Sequence, residues 1–124
     1  MVKEDKDLSH LIERVEAFEE RVGVHLQAMS ATHVGFFDYT TIQVYGEVTS
    51  RTGNTLAADV DVFAVVYDTE GKVVAARTCT IRAAEFLDFA VFGIQVNGLV
   101  QEPARVRVFP QAVATPHGHE APPE

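Results

Sequence analysis

Asp59–Ala75 reads DVDVFAVVYDTEGKVVA, and the interpretation of this stretch decides the fold. In an extended chain side chains alternate faces, so Val60, Val62, Ala64 and Val66 share one side. Asp59, Asp61, Phe63, Val65 and Tyr67 share the other. A run this rich in β-branched and aromatic residues disfavours helix and suits a pleated surface. Asp68–Thr69–Glu70–Gly71 then supplies a turn: an aspartate can bond backbone two residues on, and glycine takes a positive φ without strain. Lys72–Ile81 resumes as a strand of β-branched and small residues. The expectation is a β-hairpin.

Working outward, Tyr39–Ser50 is predicted to be a half-buried antiparallel strand. Ile42, Val44, Gly46 and Val48 face one way; Thr41, Gln43, Tyr45 and Glu47 face the other. Ser50–Thr55 is a polar loop. Val24–Val34 is a weaker strand, followed by a turn at Gly35–Asp38. In Glu85–Val96, Phe86, Ala90, Phe92, Ile94 and Val96 share a face, while Leu87, Phe89 and Val91 share the opposite one. Arg105–Phe109 is a closing strand with Val106 and Val108 inward, and Pro110 is expected to end its ladder. Regularly spaced strands without intervening helices predict a mainly β protein, an antiparallel β-sandwich of six or seven strands.

The segment VVYDTEGKVVA, residues 65–75, resembles the strand–turn–strand core of the FxLYD family of small immunoglobulin-like β-sandwich domains. Upstream, Tyr45-Gly46-Glu47-Val48 and the loop Arg51-Thr52-Gly53-Asn54-Thr55-Leu56 are similar to that family's G-x-V-x-N strand and polar loop. Downstream, Glu85–Val96 is similar to its Phe-rich strand. The chain departs from the pattern where Ala64 stands for the name-giving Phe, Val66 for the Leu, and Ser50 near the Asn. The resemblance implies an immunoglobulin-like fold and brings no catalytic residues with it.

At the N-terminus, Leu8, Leu11, Ile12, Val15, Phe18 and Val22 recur at helical spacing, a stripe of about 120°. Asp7 is the expected N-cap and Gly23 the stop. Glu13, Glu16, Glu19, Glu20, Arg14 and Arg21 are placed on the wet side. Leu8, Leu11, Val15, Phe18 and Val22 also fit the a and d positions of two heptads. That is short of a coiled coil, so packing onto the domain is preferred. The expected organisation is an amphipathic helix in residues 1–23, a β-sandwich in 24–111 and a Pro-containing disordered tail in 112–124.

The 124 residues suit one domain with a real core. A net charge of −8 argues against a nucleic-acid groove and against an anionic membrane surface. Cys79 is the single cysteine, which excludes an intrachain disulfide and favours a reducing compartment. No apolar run resembles a signal or a membrane span. The expected location is therefore cytoplasmic, or exported if a leader has been trimmed away.

Chemistry has few footholds. Asp59 and Asp61, roughly 7 Å apart on one strand face, suit a metal or an acid–base pair, but the simpler reading is cross-strand pairing with Arg77, Arg105 or Arg107. His117 and His119 lack further ligands for a zinc site. His25, His33, Cys79 and Asp38 show no metal spacing, and nothing marks Cys79 as activated. No catalytic, cofactor-binding or metal-binding residues are assigned, and no cofactor. The informative oddity is that two strands are apolar on both faces, which a two-layer fold must cover or expose. Leu8, Leu11, Val15, Phe18 and Val22 with Phe63, Val65 and Tyr67 form the candidate interaction surface. The preferred reading is a non-enzymatic interaction or structural module with a protein partner or a second copy as in a homodimer, without nucleic acid or membrane insertion. The alternative is a small-ligand protein or enzyme with a pocket between helix and sheet, using Tyr45, Tyr67 or Asp61.

Overall fold

The computed structural model describes residues 6–35, 40–99 and 103–113. The hairpin is present as β5 (Val60–Tyr67) and β6 (Val73–Ile81). Asp68 makes the turn: its Oδ1 accepts the amides of Glu70 and Lys72, both at 2.9 Å, and Gly71 sits at φ 82°. The other long strands are β3 (Val24–Gly35), β4 (Thr40–Ser50), β7 (Phe89–Leu99) and β8 (Arg105–Ala112). Two short ones, β1 (Lys6–Asp7) and β2 (Ile12–Arg14), bring the described strands to eight rather than six or seven. They form two four-stranded sheets, β1-β3-β4-β7 and β2-β8-β5-β6. Every pairing is antiparallel except β2 with β8.

One core lies between the sheets. Val60, Val62, Ala64 and Val66 of β5 are buried there with Ile42, Val44 and Val48 of β4. Phe92, Ile94 and Val96 of β7 and Val106 and Val108 of β8 complete it. Each such side chain contributes roughly 1.5–3 kcal/mol on leaving water. Gly46 is required by this packing: a Cβ there would sit 2.5 Å from the buried Phe92 ring and 2.9 Å from Met29. Proline does not end β8. Pro110 pairs with Val62 and the ladder runs on to Val60↔Ala112. Beyond Val108 the strand has lost β2, and a one-sided edge is where a missing N–H is tolerated. The expected tail therefore begins too early at 112, since the Val113 amide still donates to the Asp59 carbonyl. Residues 114–124 lie outside the described residues, as does the turn expected after Gly35.

The N-terminal helix is much shorter than its stripe. Only Glu16–Val22 forms α1, with Val15 at the N-cap and Gly23 (φ 86°) closing it as predicted. Residues 8–14 make a 3-10 turn at Ser9–Leu11 and then β2, where Ile12 pairs with Val106 and Arg14 with Val108. Leu8, expected on a helix face, is buried in the core, and Leu11, Ile12 and Val22 pack against it. Tertiary burial has overridden local periodicity. Asp7 does not cap the helix; it stands one residue before Leu8, the N-cap of the 3-10 turn, and bonds Ser9 two residues on. Its Oδ1 accepts the Ser9 hydroxyl at 2.7 Å and the Ser9 amide at 3.0 Å, bonds that hold its carboxyl below the usual range.

This arm closes the open edge of β3. The Leu8 amide donates to the Ala31 carbonyl, and the Ala31 amide donates to Ser9 Oγ. Further along, Glu19 Oε1 accepts the Leu26 amide at 3.2 Å while Arg14 Nη2 donates to the Leu26 carbonyl. Glu19, expected in water, is 0% exposed. Arg14 pairs with it through Nε (3.0 Å) and Nη2 (2.6 Å), and that hydrogen bonding raises the Arg14 pKa above the usual arginine value.

Two outcomes follow for thermal or denaturant unfolding. Arg14→Ala leaves a buried carboxylate uncompensated and should cost about 3 kcal/mol, whereas Arg14→Leu combined with Glu19→Leu should cost less than that single change. Equal losses would show that the pair is not coupled. Gly46→Ala should cost about 1–3 kcal/mol by overpacking against Phe92.

Candidate interaction surfaces on the two outer faces

Each sheet turns its second face away from the core, and the two outer faces differ. On the β2-β8-β5-β6 sheet, the alternation that buries Val60–Val66 sends Phe63, Val65 and Tyr67 outward. Opposite them in register stand Phe109, Arg107 and Arg105. Phe63 stacks on Phe109 (centroids 5.2 Å, planes 6° apart), and Phe18 of α1 meets Phe109 edge-on at 5.6 Å. The helix thus covers part of the patch, within one chain.

What it leaves open is a groove of about 510 Å³ between helix and sheet. Val15 and Phe18 wall it, Val65, Tyr67 and Phe109 floor it, and Glu13, Arg14 and Arg107 stand at its rim. Arg105 lies over the Tyr67 ring at 4.2 Å and Arg107 at 5.3 Å, both within cation–π range. One oxygen, Glu13 Oε1, accepts Arg107 Nε at 3.3 Å and Nη2 at 3.2 Å, and lies 3.6 Å from Arg105 Nε. Of the eight residues predicted to form one surface, Val15, Phe18, Val65 and Tyr67 line this groove together and Phe63 adjoins it through Phe109. Leu8, Leu11 and Val22 do not belong, because the core takes them. The arginines were the missed residues. Their alternation with Val106 and Val108 marks them as outward, but only the register places them on Tyr67.

The outer face of the β1-β3-β4-β7 sheet carries an uncovered apolar row. Leu87, Phe89 and Val91 are 72%, 52% and 65% exposed, and Tyr45 of β4 is 48% exposed. Tyr45 pairs with Gly93, and its Cε1 lies where a side chain at Gly93 would crowd it at 3.0 Å. The positive φ of Asp88 (68°) and the Leu87↔Phe89 bridge bend the chain into this row. β7 is the edge of its sheet, and Phe89–Leu99 contains neither a charge nor a proline.

The remaining candidates are engaged structurally. Asp61 accepts the Thr80 hydroxyl at 2.6 Å and Asp59 accepts the Ala83 amide at 2.8 Å; the expected arginine pairs do not form. Arg77 faces Ala64, on the opposite side of β5 from Asp61, and Arg105 and Arg107 sit at the far end of that strand. Tyr45 and Asp61 consequently take no part in the groove. Cys79 lies half-buried opposite Val62. His33, opposite Ile42, has both ring nitrogens buried and no hydrogen-bond partner among the described residues. No three His, Cys, Asp or Glu side chains stand together as a metal site among the described residues, and none of the helices described is long and apolar enough to cross a membrane. His117 and His119 lie outside the described residues. The chain matches no family model, no curated protein and no solved structure.

The Phe18–Phe109 contact is open to measurement. Phe18→Ala should cost about 1–3 kcal/mol, less than a fully packed Phe, since one side of the ring borders the groove. A double-mutant cycle with Phe109→Ala should return a coupling of about 0.5–1.5 kcal/mol. Additive losses would mean that the helix is not docked there.

Proposed function

We propose that this chain is a non-enzymatic protein-interaction module of immunoglobulin-like build that pairs with a second copy of itself through β7. Strand order supports the immunoglobulin-like part. β3, β4 and β7 fall in the positions of strands A, B and E, and β6, β5 and β8 in those of C′, C and F. β2 lies where G would, although parallel to its neighbour. The resemblance of residues 45–96 to the FxLYD family points the same way.

The observation that carries the interaction is the exposed row Leu87, Phe89, Val91 and Tyr45 beside an uncharged edge strand. Sheet edges are ordinarily blunted by lysine, proline, bulges or covering segments. At β3 this chain does so, with Ser9, Arg14 and Glu19. At β7, among the described residues, the run Phe89–Gln95 pairs regularly with β4 and its outer side is bonded to no other strand. What fits such an edge is another strand, whose backbone satisfies it while its side chains meet the apolar row.

Charge permits a second copy at this edge. Molecules of net charge −8 repel one another, and β7 is a long face at which they can approach without opposing like charges. An antiparallel pairing about a two-fold axis at Val91 sets Val91 against its own copy. It also sets Phe89 against the copy's Gly93, over which the Tyr45 ring lies, so that the two aromatic side chains meet.

Sedimentation or light scattering across a concentration series tests this. The expected result is a monomer–dimer equilibrium that Val91→Glu and Phe89→Glu abolish, with the circular dichroism of the monomer unchanged. Thr78→Glu, exposed on β6, is the control and should leave the equilibrium alone. A monomer mass at every concentration overturns the proposal, as does a dimer that survives both β7 variants.

A further inference from the structure

We infer that the groove between α1 and the β2-β8-β5-β6 sheet is a binding site for a small planar aromatic carboxylate. It lies on the opposite sheet from β7, so the inference stands apart from self-pairing. The apolar half of such a ligand is matched by Val65, Phe18 and Phe109, whose side chains leave about 510 Å³ open, within the range of sites that hold drug-sized molecules.

The anionic half is matched by a surplus of donors. Two guanidiniums carry ten N–H groups between them. The acceptor they share is a single carboxylate oxygen, Glu13 Oε1. Arg107, which lines the groove, uses Nε and Nη2 on it; Arg105, just behind Arg107 on Tyr67 and outside the groove lining, has its Nε buried 3.6 Å from that oxygen with no hydrogen-bond partner among the described residues. Arg14, the third cation at the rim, is committed to Glu19 and lies 4.0 Å from Glu16 on the solvent side, so it adds no free charge. Both arginines lie over Tyr67, which limits their rotation, and Arg107, the one that lines the groove, gives its Nε–Nη2 fork to Glu13, so its Nη1–Nη2 fork is the one that would receive a ligand carboxylate by two parallel bonds. An aromatic ligand suits this lining, since Phe18, Tyr67 and Phe109 all border the groove.

2-Naphthoate is the probe and 2-naphthamide its neutral counterpart, read by calorimetry and by amide chemical shifts of the full chain. The naphthoate should bind at one saturable site with shifts centred on Val65, Tyr67, Arg107 and Phe109. The amide should bind at least about tenfold more weakly, the loss expected when a charge-assisted bidentate contact is removed. Arg107→Gln should lower naphthoate affinity by a similar factor and leave the amide unchanged, and Arg107→Lys should fall between. Val91→Glu, on the other sheet, should change nothing. The inference is overturned if naphthoate does not bind, if acid and amide bind alike, if Arg107→Gln leaves naphthoate affinity intact, or if the shifts map to β7.

Discussion

Much of this fold hangs on how the edge of β3 is closed. Leu26 presents an amide and a carbonyl to a side where no strand arrives, and unpaired backbone groups at a buried edge cost as much as a lost hydrogen bond. A carboxylate and a guanidinium take the strand's place: Glu19 accepts from the amide and Arg14 donates to the carbonyl. Each charge would be costly in that position alone, and together they neutralise one another. Because Glu19 belongs to α1 and Arg14 to β2, the same clamp ties to β3 both the helix and the arm that pairs with β8. The shape of the N-terminal region follows from it. A helix extended back to Leu8 would pull Arg14 out of reach and leave Leu8 outside the core.

Closing one edge makes the treatment of the other informative. β3 has its backbone groups satisfied by polar and charged side chains, while β7, two strands across, keeps an uncharged edge and an exposed apolar row. The two outer faces divide in the same way. One is partly roofed by Phe18, with arginines and a glutamate arranged around the gap. The other has no element laid over it among the described residues. These are two physically different surfaces, one shaped by aromatic stacking and donor geometry, the other by strand pairing.

What was legible in the sequence was whatever depends on alternation and on turn chemistry. Val60–Val66 and Ile42–Val48 could bury only one face each, and Asp68 with Gly71 allowed little but a tight turn. The double apolar character of Phe63–Tyr67 and Leu87–Val91 is equally plain in the sequence, and it locates both outer surfaces. What only the tertiary structure decided was the use of each surplus face. The stripe Leu8–Val22 has helical period, yet its first half is worth more as core plug and strand than as helix, because burial between sheets outweighs a marginal helix in water. Glu19 reads as a wet residue until β3 arrives beside it. The pairing of Asp61 with Thr80 rather than an arginine, and of Arg105 and Arg107 with Tyr67, was set by register, since a strand's side chains meet partners only at their own height along the ladder. Periodicity records which way a residue points. What it meets depends on segments far away in the chain, and no local pattern encodes that distance.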